Sequence, residues 1–194
     1  MDVDTLLAKR VRELRKSRGY ALDKLAELSG VSRSMISLIE REETSPTAAV
    51  LNKLADALGV TLASLFSDES RSVPEQQLAR LSEQQVWKDP ASGYVRRHVS
   101  PSGYASPIEL VEVTFPPGQS VAFENALRNV VTYQQVWMLE GEMEITAGEQ
   151  TWHLQSGDCL AMELGQHIVF RNPTRNQARY AVALTTPSFI SRRP

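Results

Sequence analysis

The spacing of apolar residues changes once along this chain, and the change limits what it can fold into. Up to Phe66 they recur at helical intervals: Leu7, Val11 and Leu14, then Leu22, Leu25 and Ala26, then Ile36 and Ile39. From Val86 onward come short β-branched and aromatic runs: GYVRRHV, PIELVEVTF, VVTYQQVWML, MEITA, TWHL, DCLAME, IVFRN and RYAVALTT. Turn segments such as PPGQ, LEGE, TAGE, QSGD and RNPT separate them. A helical period does not settle as a strand, nor the reverse. The pattern therefore predicts two domains, all-α over residues 1–66 and an all-β sandwich or barrel over 86–194. Between them SDESRSVPEQQLARLSEQQ (67–85) is polar and reads as a linker, with a short helix at EQQLARL.

Five short helices are expected in the all-α part. Asp2 or Asp4 caps the first, which Gly19 ends; the second closes at Gly30. Ser32 caps the third, SRSMISLIE. Ser45-Pro46 opens the fourth, TAAVLNKLADAL, since a first helical position needs no donor, and Gly59 ends it. Thr61 caps a fifth turn, LASLF.

Charge and cysteine content narrow the function. The net charge is −2, yet KRVRELRKSR (9–18) packs six basic residues into ten positions. Such a run is either a solvated helix face or the footprint of a nucleic-acid site. Cys159 is the only cysteine, which excludes an internal disulfide and a CxxC-type zinc site. Its apolar GDCLAM setting predicts a buried thiol. No run of about 18 apolar residues spans a membrane, and no apolar block of signal-peptide type opens the chain. A cytoplasmic protein with no membrane partner is expected.

Residues 21–40, ALDKLAELSGVSRSMISLIE, have helix-turn-helix spacing: Ala26 lets the helices approach, Gly30 makes the turn, and Val31 and Ile36 anchor the second helix. With RVRELRKSRG before and SPTAAVLNKLADALGVTLASLF after, residues 7–66 resemble the phage-repressor-like (Cro/C1-type, XRE) DNA-binding family. That resemblance implies double-stranded DNA as partner. A recognition helix enters the major groove by its N-terminal end, so Ser32, Arg33, Ser34, Ser37 and Leu38 become candidate contacts. Arg33 can donate two bonds to guanine or simply meet phosphate. Arg15 and Glu40 match a structural ion pair of the family. Arg10, Arg12, Lys16 and Arg18 then remain for phosphates, some of them on the DNA side, with Thr44, Ser45 and Thr47 as a second cluster. Ala21 departs from the family's capping residue, and Leu22 stands where a polar residue often faces phosphate.

From Val86 the pieces WKDPASGYVRRHVSP, VWMLEGEMEI and HLQSGDCLAM resemble the cupin domain, a jelly roll (double-stranded β-helix) barrel. Cupins place two histidines and a glutamate in a first motif between glycines, and a further histidine in a second. An H-x-H pair on a strand points both imidazoles into the barrel, toward a metal. On this pattern the four slots hold Glu124, Ala126, Gln134 and Ile168, with His167 beside the last and facing away. His98 and His153, in separate strands, suit surface or hydrogen-bonded roles. The resemblance therefore implies a barrel with no metal and no cofactor. By alternation Glu124, Ala126, Gln134, Val136, Met138, Met162, Ile168 and Phe170 share its inner side. That lining suits a small organic ligand, with Glu124 anchoring an amine, or a filled core with no ligand.

The expected protein is a DNA-binding transcriptional regulator and not an enzyme. Its cupin domain senses a small molecule, dimerises the chain, or both, on a near-palindromic operator. Two rivals remain: a cupin oxygenase or isomerase carrying a DNA-binding head, and an antitoxin-type regulator whose second domain binds another protein.

Overall fold

A computed structural model describes residues 3–66, 77–101, 104, 106–124 and 132–185. The first part holds four α-helices, α1 (Val3–Ser17), α2 (Leu22–Ser29), α3 (Arg33–Glu40) and α4 (Ala48–Leu58). The expected fifth helix is a 3-10 turn, Ala63–Phe66. Four residues cannot repay α-nucleation, and Thr61 Oγ1 closes the tighter turn by accepting from Ser64 N at 3.1 Å. Of the two residues expected to cap α1, Asp2 lies outside the described residues, and Asp4 lies within the first turn and accepts a bond from Ser45 Oγ. One cap differs from expectation. Pro46 precedes the cap of α4, which is Thr47, because a hydroxyl can take the orphan N–H of Val50 and a proline ring cannot. Gly30 closes α2 in the left-handed region at φ 66°, its N–H on Ala26 O at 2.9 Å, which makes the tight turn into α3.

Ten strands follow: β1 (Val86–Lys88), β2 (Val95–His98), β3 (Ile108–Phe115), β4 (Ser120–Phe123), β5 (Tyr133–Glu140), β6 (Glu142–Ala147), β7 (Gln150–Gln155), β8 (Cys159–Glu163), β9 (Ile168–Arg171) and β10 (Ala178–Thr185). They form one sheet of order β1-β2-β3-β10-β5-β8 and a second of order β4-β9-β6-β7. Every pairing is antiparallel. The four-strand cores β3-β10-β5-β8 and β4-β9-β6-β7, with β4, β5 and β6 alternating between them, have the strand order of a jelly roll. Among the described residues no ladder joins the two sheets, so the expected closed barrel is an open sandwich. Gly141 carries the chain from one sheet to the other at φ 78°, where a β-carbon would lie 2.8 Å from Gln177 O. Only part of EQQLARL is described; residues 77–80 are non-helical, and a 3-10 turn, Leu81–Glu83, begins at its last residue.

The helical head packs against the sandwich, and one hydrophobic core runs through both. Phe66 meets Trp87 at 5.7 Å, Trp87 meets Tyr94 edge-on at 5.8 Å, and Tyr94 stacks on Phe115 at 5.7 Å. Polar contacts stitch the same boundary. Ala48 N donates to Asp89 Oδ1 at 2.9 Å, Asn52 Nδ2 to the Glu124 carbonyl at 2.7 Å, and Thr61 Oγ1 to Glu109 Oε2 at 3.0 Å.

Candidate functional site

Helix α3 is held by its inner face, where Ile36 and Ile39 are fully buried. Ser32 Oγ accepts from Met35 N at 3.2 Å and fixes the N-terminal end; it also shares a hydroxyl bond with Ser34 at 3.1 Å. Ser32, Arg33 and Ser34 are exposed, while Ser37 and Leu38 are half-buried. Arg33 Nε lies 3.1 Å from Asp23 Oδ1 on α2, with both side chains more than half exposed. Exposed pairs of this kind are worth little, so the guanidinium is oriented rather than consumed.

The surrounding cations divide by burial. Arg15 forms a two-bond pair with Glu40, at 2.6 and 2.7 Å, and donates to the Tyr20 carbonyl at 2.8 Å. Glu40 holds the guanidinium pKa above its usual value, and the pair ties α1 to α3. Arg10, expected among the residues left for phosphates, is buried and donates Nε to the Ser64 carbonyl at 3.3 Å, because it falls on the inner face of α1 beside Val11. Lys16 and Arg18 are exposed. Of the second cluster, Ser45 is exposed and bonded to Asp4, Thr44 is half-buried, and Thr47 has its hydroxyl committed to the α4 cap.

A cavity of about 620 Å³, counting its open mouth, lies where head and sandwich meet. Asn52, Thr61, Leu62 and Ala63 of the head form one wall. Tyr94, Arg96, Gln134 and Tyr180 give polar groups from the sheets, and Phe115, Phe123, Ile168, Phe170 and Val182 an apolar floor. Burial raises the pKa of both phenols, Tyr94 to about 12, so both stay neutral.

The inward set expected from alternation is only partly brought together here. Gln134, Ile168 and Phe170 line the cavity. Val136 and Met138 point inward but are absorbed in the packed core, and Met162 is half-buried against the Gln134 amide, its sulfur 3.8 Å from Nε2. Ala126 lies outside the described residues. Glu124 does not line the cavity. Phe123 turns inward onto Phe170, so the next residue turns out; Glu124 is 56% exposed and pairs with His167 Nδ1 at 2.9 Å. Two further expectations are corrected. His98 does not take a surface role: it is buried on the inner face of β2, its Nδ1 without a partner among the described residues and its pKa lowered to about 4 by burial and by Arg96. Cys159 is exposed, because on β8 it shares the outer side with Ala161 while Leu160 and Met162 turn in. His153 is exposed, 3.3 Å from Glu144.

Arg96 is the residue that motif counting missed. The signal was present in GYVRRHV: with Tyr94 inside, a period of two also puts Arg96 and His98 inside. The slots that a cupin uses for metal do not fit one. Gln134 presents an amide, Ile168 an alkyl group, and Glu124 faces solvent, whereas transition metals need several imidazole or carboxylate donors. Among the described residues no three His, Cys, Asp or Glu side chains gather in metal-binding geometry.

Comparison with known proteins follows this geometry. A family model described as Helix-turn-helix (HTH_3) matches residues 11–65. The HTH-type transcriptional regulator PuuR of Escherichia coli (strain K12) is 26% identical over 183 residues, covering 93% of this chain and 95% of that protein. SinR of Bacillus licheniformis is 32% identical over 93 residues, 47% of this chain and 84% of its own length. A crystal structure of an HTH_3 family transcriptional regulator from Vibrio cholerae has a TM-score of 0.75 at 26% identity, covering 94% of this chain and 96% of that one. With its head folded as helix-turn-helix and its relatives regulators along nearly the whole length, this chain belongs to the HTH_3 (XRE) family of helix-turn-helix transcriptional regulators.

Proposed function

We propose that the chain is a sequence-specific DNA-binding regulator, not an enzyme, which reads a near-palindromic operator as a homodimer and senses a small molecule in its jelly roll. The head, 1–66, reads bases through Arg33 and Ser34, with Ser37 and Leu38 behind them. Lys16, Arg18, Ser45 and Thr44 meet phosphates. The observation that carries the sensing role is the shared cavity: residues of α4 and the 3-10 turn form part of its wall, so an occupant touches the DNA-binding head directly. A lining with an amide and an alkyl group at the family's metal positions supports a binding rather than a redox role.

Dimerisation rests on a different observation. The outer face of the six-stranded sheet exposes Trp137 at 53%, Tyr133 at 49% and Leu110 at 43%, with the small Ala181 and Ala183 on the strand between them and Ala161 on the strand beyond. Exposed aromatics in a row on a sheet mark an interaction surface. A two-fold pairing there would carry two heads to half-sites one turn, about 34 Å, apart.

Selection of bound duplexes from a random pool by the full chain tests the reading. The expected result is a dyad-symmetric sequence whose affinity changes on adding a bacterial small-molecule extract. A selected pool without symmetry sinks the dimer model, and an affinity that no extract moves sinks the sensing role.

A further inference from the structure

We infer that the cavity between head and jelly roll takes a small organic acid, its carboxylate bound by Arg96 and its apolar body lying on Phe115, Ile168, Phe170 and Val182. This rests on the sensing role proposed above and names the chemistry of the ligand.

Arg96 reaches the cavity because β2 alternates, with Val95 and Arg97 turned out and Arg96 turned in, opposite Val113 of β3. It is only 8% exposed, and its Nε is buried with no hydrogen-bond partner among the described residues. A guanidinium carries five donors in a planar fork matched to a carboxylate. Leaving such a charge buried without an acceptor is costly, and proteins ordinarily pair it. What surrounds it does not do so. The ring of Phe66 lies 5.9 Å from Cζ and offers a weak attraction without an acceptor. Tyr94 and Tyr180 are phenols that burial keeps neutral. Glu109 acts on Arg96 through its field and shares no hydrogen bond with it among the described residues; its carboxylate also accepts the Thr61 hydroxyl of the head at 3.0 Å.

Among the described residues, the wall of the cavity carries the Arg96 cation and no acidic side chain, and Glu124, the anchor expected for an amine, faces solvent. One cation, with no second Lys or Arg on the wall among the described residues, suits a single negative charge. The Gln134 amide offers a secondary polar contact on a wall that is otherwise largely apolar.

Two matched triplets separate the possibilities on the full chain: benzoate, benzamide and benzylamine, and pentanoate, pentanamide and pentylamine. Thermal shift and titration calorimetry give affinities for each. Both acids are expected to bind roughly tenfold or more tighter than their amides and amines, as for a hydrogen-bonded charge pair. Arg96→Gln is expected to erase the preference of acid over amide, and Arg96→Lys to keep part of it. The unliganded melting temperature and circular dichroism check that both variants fold. If they do not, the acid-to-amide ratio of the unaltered protein decides. Equal or tighter binding of the amides or amines overturns the inference while leaving a sensing cavity in place. Failure of all six probes at millimolar concentration overturns it as well, and the extract experiment then judges the sensing role separately.

Discussion

Asp89→Ala asks whether the head and the jelly roll are one cooperative body. Asp89 is 2% exposed, and its carboxylate accepts from Ala48 N at 2.9 Å, Ser92 N at 2.8 Å and Ser92 Oγ at 2.5 Å. Ala48 is the first residue of α4, whose leading N–H groups have no partners within the helix. Truncation leaves that buried donor unsatisfied, at a cost of about 1–3 kcal/mol. It also removes a negative charge from the positive end of the helix, about 0.3–1 kcal/mol. The lost turn at Ser92 adds about 1 kcal/mol. The total is about 2–5 kcal/mol, a large share of ordinary domain stability, and should lower Tm by roughly 5–15 °C. Asp89→Asn keeps an acceptor but not the charge and should cost about 1–2 kcal/mol. Urea unfolding followed by far-ultraviolet circular dichroism reports the helices of the head, and tryptophan fluorescence reports the sheets, since Trp87, Trp137 and Trp152 all lie there. Both transitions should move together. A loss under about 0.5 kcal/mol, or a helical transition that moves alone, would refute a cap across the boundary.

Three further outcomes are expected. Arg33→Ala should cost about 1–3 kcal/mol on the selected operator and less on random duplex, measured by fluorescence anisotropy; equal losses would make Arg33 a phosphate contact only. Trp137→Glu should convert dimer to monomer in light scattering with little change in Tm, and an unaltered mass would remove the outer sheet face as the interface. His98, with its pKa lowered to about 4 against 6.5, takes its proton later in the folded than in the unfolded state. Its contribution is therefore complete above pH 6.5 and lost as pH falls toward 4, by up to about 3 kcal/mol. His98→Leu should flatten that limb of the urea midpoint against pH, and an unchanged limb would assign the loss to other groups.

The head was legible in the sequence because its signals are local. Gly30, Ser32 and the spacing of Ile36 and Ile39 act within one or two turns of helix, and the structure places them as read. The strands were legible too, since alternation needs no knowledge of the partner strand. Motif register served less well than alternation. Counting from a cupin glycine put Glu124 inside, while the SVAF strand puts Val121 and Phe123 inside and Glu124 out. Local rhythm outranks motif counting where one face is buried, since a slip of one residue exposes every apolar side chain. Cys159 makes the same point: the residues after it, Leu160, Ala161 and Met162, are apolar, yet its parity on β8 is the outward one.

The contacts that join the two halves left no such signal. Asn52, Thr61 and Asp89 are ordinary residue types at ordinary spacing, and each meets a partner more than 40 positions away. Their placement decides how an occupant of the cavity could act on DNA. α4 forms the wall with Asn52 and packs on α2, and α2 packs on α3, so the route from cavity to recognition helix passes through contiguous packed helices. Contiguity alone transmits nothing; a ligand shifts DNA affinity only by the difference in its affinity for two positions of the head. The hydrogen bonds of Asp89, Asn52 and Thr61 favour the arrangement seen here, and a change of tenfold in operator affinity requires about 1.4 kcal/mol of such difference. A ligand that touches both Arg96 and the head wall can supply it, because drawing the guanidinium away from Phe66 alters a contact across the boundary itself.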